Sequence, residues 1–208
     1  MPHMIHIEAS PRKQRSASIE VAQTFIDAWQ ARHPHGTIDR LDVWSTPMPE
    51  FDGDALDAKY AGISGTPLSP AQAQAWSAIK TLAGRITAAD LILVSTPMWN
   101  YGIPYKLKHL VDVVSQKDVL FTFDERGQNG MLHGKRGVAI CARGVQIGPH
   151  FPKADFDFQT TYLTMWFKMI GVTDIAILEV EKTLFGPEID KASRAEAGLA
   201  ARELAARY

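Results

Sequence analysis

The residues with most chemical potential stand where a short apolar run, Met4-Ile5-His6-Ile7, breaks into Ala9-Ser10-Pro11-Arg12 and then Ser16-Ala17-Ser18. A strand that ends in such a turn and restarts as a helix offers serine hydroxyls beside backbone N–H groups that no helical carbonyl can pair. The positive end of the helix dipole lies beside them. That set of donors suits a phosphate monoester. The bland alternative is that Ser16 or Ser18 caps the helix, which serine often does. The turn has no glycine, and neither G-x-G-x-x-G nor G-x-x-x-x-G-K-[ST] occurs in the chain, so the two glycine-rich phosphate loops do not apply.

Two further segments end strand-like runs with unusual chemistry. After Leu91-Ile92-Leu93-Val94 come Met98, Trp99, Asn100 and Tyr101, bracketed by Pro97 and Pro104. Aromatic and thioether side chains at such a turn can flank a flat heterocycle while Asn100 hydrogen-bonds its edge. Ordinary packing of Trp99 and Tyr101 on the next helix is the alternative. After Val138-Ala139-Ile140-Cys141 come Ala142, Arg143, Gly144 and Val145, with Gly144 permitting close backbone approach and Arg143 read as a donor or a surface cation. Cys141, the one cysteine, excludes an internal disulfide and lies in an apolar run, so it reads as a small buried residue rather than a nucleophile.

The elements that must position these turns alternate. Strands are predicted at 4–8, 37–43, 90–96, 137–142 and 173–180, several of them apolar throughout, as strands covered on both faces are. Helical faces are Ile19, Ala22, Ile26 and Trp29; then Trp76, Ile79, Ala83 and Ile86 behind the capping box Ser69-Pro70-Ala71-Gln72; then Leu107, Leu110, Val111 and Val114. A fourth helix presents Tyr162, Leu163, Trp166 and Ile170 and stops at Gly171, and the last begins at Gly186-Pro187. The strict β-α alternation predicts an α/β domain over residues 1–208: a doubly wound, five-stranded parallel sheet of order 2-1-3-4-5 with helices on both faces. Its ligand belongs at the carboxyl ends of strands 1, 3 and 4. Residues 44–68 read as a long loop and 116–136 as a hairpin excursion.

At 208 residues, 46% hydrophobic and a net charge of −1, the chain can bury a full core but offers no basic field for nucleic acid or an anionic membrane. No apolar run reaches the ~20 residues of a membrane span, and the N-terminus enters a strand at once without a signal-peptide pattern. The expectation is a cytoplasmic protein. No H-E-x-x-H or G-x-S-x-G pattern marks a hydrolase. His33-Pro34-His35 reads as a solvated turn, Asp52-Gly53-Asp54 lacks the rest of a calcium loop, and Gly134-Lys135-Arg136 reads as a turn into a strand.

Taken together, Ser10-Pro11-Arg12 with Ser16-Ala17-Ser18, Pro97-Met98-Trp99-Asn100-Tyr101 with Leu107-Lys108, Gly134-Lys135 followed by Arg143-Gly144, and Gly171-Val172-Thr173-Asp174 make the chain resemble the FMN-dependent NADH-azoreductases, relatives of the NAD(P)H:quinone oxidoreductases with a flavodoxin-like fold. The resemblance covers essentially the whole length. It implies that Ser10, Ser16, Ala17 and Ser18 hold the FMN phosphate, that Met98, Trp99, Asn100 and Tyr101 line the flavin ring, and that Ala142, Arg143, Gly144 and Val145 border its pyrimidine side. It implies substrate-pocket aromatics at Phe121, Phe123 and Trp166, some contributed across a homodimer interface. It further implies NADH or NADPH as co-substrate and a quinone or azo acceptor, served by two-electron ping-pong transfer with no catalytic side chain and no metal. The family's third turn is Ser-Arg-Gly-Gly; here Ala142 lacks the hydroxyl and Val145 puts a branched side chain where glycine is usual, which alters flavin contacts or narrows the nicotinamide side. The competing class is a flavodoxin-like electron carrier or non-catalytic nucleotide-binding module, which the near-neutral charge disfavours because such carriers tend to be strongly acidic.

Overall fold

The structure, a computed structural model, describes residues 1–148 and 150–208. Its centre is a five-stranded parallel sheet of β1 (His3–Glu8), β2 (Thr37–Asp42), β3 (Leu91–Pro97), β6 (Arg136–Ala142) and β7 (Asp174–Val180), in the order β2-β1-β3-β6-β7. Counted among sheet strands alone, this is the predicted 2-1-3-4-5. The remaining strands, β4 (Phe121–Asp124) and β5 (Gly127–Gly130), form the antiparallel hairpin expected within 116–136. The continuous apolar runs have the cause inferred for them. Leu91, Ile92, Leu93 and Val94 are all buried because helices cover both faces of β3.

On one face, α1 (Ala17–Arg32) and α7 (Pro187–Ala205) pack over Met4, Leu93, Val138 and Ile140. On the other, α3 (Pro70–Ala88), α4 (Tyr105–Val114) and α6 (Phe158–Met169) pack over Ile5, Ile7, Val94 and Ala139. The one-turn α5 (Lys153–Phe156) precedes α6. The capping box at Ser69 is present, Ser69 Oγ accepting from the Gln72 N–H and Gln72 Oε1 accepting from the Ser69 N–H. The buried stripe of α1 is Val21, Ala22, Phe25, Ile26 and Trp29; Ile19 lies at its half-exposed margin, one step from the predicted centre.

Residues 44–68 are not the long loop their Pro, Gly and Asp content suggests. They contain α2 (Gly53–Ser64). Asp52 caps it, its carboxylate accepting from the Ala55 N–H at 3.4 Å, and Gly65 ends it at φ +71. The residues that looked like loop formers are its two end signals. Its buried contacts are only Ala55 and Ala58, too small to make a periodic apolar stripe.

The hairpin is seated by a close backbone approach. A Cβ on Gly130 would lie 2.0 Å from the Gly171 nitrogen, and Gly171 itself has φ +96. The Leu132 N–H donates to the Ile170 carbonyl at 2.8 Å, fixing the far end of the excursion against the end of α6.

Candidate active site

Strands β1, β3 and β6 are neighbours, so the turns after them share one rim. Backbone hydrogen bonds hold the strand ends together: Ala9 N–H to the Ser95 carbonyl at 2.9 Å, Met98 N–H to the Ala142 carbonyl at 2.7 Å, and Arg143 N–H to the Val180 carbonyl at 2.9 Å. The predicted turn residues are thereby gathered from positions 10–18, 98–101 and 142–145.

In the first turn Ser10, Ser16 and Ser18 are all buried. Ser16 is indeed the cap of α1, accepting from the Ile19 N–H at 3.4 Å, and its hydroxyl shares a hydrogen bond of 3.1 Å with that of Ser18. Ser10 Oγ accepts from the Arg12 N–H at 3.4 Å. Ala17 and Ser18 occupy the first two helical positions, where no preceding helical carbonyl faces the N–H. The turn thus has more donors than acceptors, a set that an anion can satisfy. Capping and anion binding are not rivals at this helix start. The indole N–H of Trp44, from the segment after β2, donates to the Ala9 carbonyl at 3.1 Å and pins the turn from the side.

The second turn is tight and strained. Trp99 and Gly102 exchange both backbone hydrogen bonds, at 3.0 and 2.9 Å, which forces Asn100 and Tyr101 to φ +48 and +67. Left-handed backbone is tolerable for Asn and costly for Tyr, of order 1 kcal/mol or more. The strain presents Asn100 and Trp99 outward at the strand end. Trp99 packs beside Trp44 and Tyr105, with centroids 5.7 and 6.3 Å away. Tyr101 packs beside Phe156 at 5.0 Å.

In the third turn the carbonyls face away from the rim: that of Arg143 accepts from the N–H and hydroxyl of Thr183, and that of Gly144 from the Leu184 N–H. Among the described residues the N–H groups of Gly144 and Val145 have no backbone acceptor, which leaves them for a ligand's oxygen. Val145 has no positive φ, so its branched side chain sits there without backbone strain. Arg143 is not the surface cation considered for it. Its guanidinium is buried, 3.3 Å from Asp157 and 3.0 Å from Glu179. Burial alone would raise the Asp157 pKa, but the hydroxyl and N–H of Thr160, then the charges of Arg143 and Lys153, hold that carboxyl below its ordinary value. Burial pushes the Cys141 thiol up to about 12, which makes it inert and consistent with a packing role.

Trp99, Asn100 and Phe121 line one groove of about 1060 Å³, joined by Tyr105, Phe158 and Tyr162. Phe121 therefore stands where a planar molecule over the second turn would meet it. Phe123, nearer the hairpin tip, is 60% exposed and outside the groove. Trp166 is a correction: it lies wholly within the core, its indole N–H donating to Ser115 Oγ at 3.0 Å, and has no surface to offer a substrate. Of the predicted stripe, Leu163, Trp166 and Ile170 are buried against the core, whereas Tyr162, at its half-buried margin, reaches the groove. Trp44, Tyr105 and Phe158 escaped the sequence reading because each comes from an element whose packing against the rim depends on the tertiary fold. Asp157 was legible in principle, as an Asp three residues before Thr160 at a helix start.

Comparison with known proteins matches this geometry. Residues 2–205 match the family model described as a flavodoxin-like fold. The FMN-dependent NADH:quinone oxidoreductase 9 of Burkholderia lata is 49% identical over 189 residues, covering 89% of this chain and 90% of the relative. The FMN-dependent NADH:quinone oxidoreductase 3 of Pseudomonas fluorescens is 44% identical over 208 residues, covering 99% and 96%. Among solved structures, an azoreductase from Bacillus anthracis superposes with a TM-score of 0.90 at 20% identity over the whole of both chains. An FMN-dependent NADH-azoreductase from the same organism, in complex with FMN, gives 0.86 at 24% identity, covering 99% of this chain and all of that one. With a family model matched over residues 2–205 and relatives 49% and 44% identical over most of both chains, the chain belongs to the family of FMN-dependent NADH:quinone oxidoreductases of flavodoxin-like fold.

Proposed function

We propose that this oxidoreductase binds FMN at the three rim turns and passes two electrons from NADH to quinones and to azo compounds. The observation that carries the reading is the convergence of unpaired donors on one rim: the serine hydroxyls and first helical N–H groups of α1 on one side, the N–H groups of Gly144 and Val145 on the other. A phosphate at one end of a ligand and a carbonyl-bearing ring at the other would satisfy both sets. FMN, once bound, supplies the hydride acceptor and two-electron donor that no side chain here provides.

The protein's share is orientation. Ser10, Ser16 and Ser18 with the Ala17 and Ser18 N–H groups hold the phosphate. Met98 to Tyr101 lie along the ring, and the strained second turn keeps them from collapsing onto it. Trp99 and Phe121 bound a groove that favours flat, apolar acceptors by stacking. NADH and the acceptor use that groove in turn, which is a ping-pong order. Phe123 on the hairpin tip, with Tyr60 and Ile63 exposed on α2, supports a homodimer in which one subunit's aromatics close the other's groove. Because NADH is the reductant, the reaction belongs in the cytoplasm.

Purified protein incubated with FMN is expected to turn yellow and to oxidise NADH with benzoquinone unaided. Colourless protein overturns the reading, and a need for a separate reductase favours the electron-carrier alternative. Initial rates at varied NADH and benzoquinone give parallel double-reciprocal lines; intersecting lines rule out the ping-pong order. Replacing Ser16 and Ser18 by Ala together is expected to weaken FMN binding by tenfold or more (about 1.4 kcal/mol) in a fluorescence titration, with the far-ultraviolet circular dichroism retained.

A further inference from the structure

The third turn is braced by a buried charge. The Arg143 guanidinium has no exposed surface and reaches three carboxylates: Asp157 at 3.3 Å, Glu179 at 3.0 Å and Glu181 at 3.6 Å. Each of these carboxylates holds something else as well, Glu179 Oε1 accepting from Lys153 Nζ at 3.2 Å. Glu181 Oε1 accepts from the Ile147 N–H at 2.9 Å, on the far side of the third turn. Asp157 accepts from the N–H and hydroxyl of Thr160, at 2.9 and 2.6 Å, and so sets the first turn of α6. The next residue, Phe158, donates its N–H to the Tyr101 carbonyl at 3.0 Å, inside the strained second turn. One guanidinium thus ties the third turn to the second through the cap of α6.

We infer that Arg143 is a positioning residue, which fixes the gap between the second and third turns and hence the pose of the planar ring held there, without touching that ring. The inference rests on the FMN reading given above. Buried ion pairs contribute little net stability, because desolvation offsets their attraction, so stability alone is a weak reason for this arrangement. What an arginine supplies here is geometry: a rigid planar fork whose two terminal nitrogens reach different carboxylates at fixed angles, which the point charge of lysine does not.

The test uses Arg143→Met, Arg143→Lys and Asp157→Asn in the full chain, Asn retaining an oxygen for the helix cap. In the flavin-free protein, amide hydrogen exchange at Ile147 and Phe158 is expected to accelerate by about tenfold or more in Arg143→Met and Asp157→Asn, while Val94 in the sheet stays at the wild-type rate. In the FMN-loaded protein, kcat for NADH with benzoquinone falls by about a hundredfold in Arg143→Met, as a misplaced reacting group costs. The visible flavin band shifts with it, KM for NADH changes far less than kcat, and Arg143→Lys falls between Met and wild type. A folded Arg143→Met with wild-type exchange at both amides, wild-type kcat and an unshifted band overturns the inference. If Arg143→Met does not accumulate as folded protein, Asp157→Asn decides by the same exchange measurement. Wild-type protein that takes up no FMN sinks the functional reading, while exchange in the flavin-free chain still judges the brace.

Discussion

His6 shows how little a residue's type says about its task. It lies on β1 with its ring buried, Nδ1 3.3 Å from an Arg40 nitrogen and Nε2 2.9 Å from Ser95 Oγ. Arginine only donates, so facing Arg40 the Nδ1 atom accepts and Nε2–H donates to Ser95, the ring being neutral, while Glu8 Oε1, 3.4 Å from Nδ1, takes its hydrogen bond from Arg40. Burial, then the Arg40 charge, lowers its pKa from 6.5 to about 3. Below pH 6.5 the unfolded chain takes up this proton and the folded one does not, so stability is full above that pH and is lost as pH falls towards 3, by up to ~1.4 kcal/mol per pH unit. Urea midpoints measured from pH 7 to pH 4 are expected to fall, and the fall to be shallower in His6→Gln. At this scale the sequence announced the serines, Asn100 and Gly144 because each has a local conformational reason to stand in a turn. It left Arg143 as a donor or a surface cation, because the partners that bury it, Asp157 and Glu179, lie 14 and 36 residues away.

At the scale of elements, what could be read was what buries a continuous or periodic apolar surface. The sheet strands announced themselves because both faces are covered; α4 did so because Leu107, Leu110, Val111 and Val114 make an unbroken stripe, all of it buried. Helix α2 stayed hidden because alanines alone face inward, and Trp166 was misplaced because its helix, correctly located, turns that side to the sheet. The hairpin's seat depends on a contact that no periodicity encodes, the approach of Gly130 to Gly171. Gly130→Ala places a methyl against backbone that cannot yield, so the mutant is expected to lose about 3 kcal/mol of stability, read as a lowered melting temperature. Because Phe121 belongs to the same hairpin, KM for benzoquinone should rise in the protein that remains folded. A Gly130→Ala protein as stable as the wild type would mean that the hairpin is not seated there.

At the scale of the molecule, alternation of strand and helix implied the topology, and topology placed three turns side by side that the chain separates by scores of residues. The same burial that makes the core sets the fate of its lone sulfur. Cys141 is on β6, one strand inside the sheet edge, with no exposure and a thiol pushed up to about 12. Quinones are electrophiles that alkylate accessible thiolates, so a catalyst that handles them is exposed to inactivation by its own substrate. Holding the sole cysteine as a protonated, covered thiol removes that hazard. Intact protein kept with excess benzoquinone should therefore show no added mass at position 141, whereas the urea-unfolded chain acquires an adduct, and the speed of labelling in mild denaturant becomes a direct clock for opening of the whole sheet.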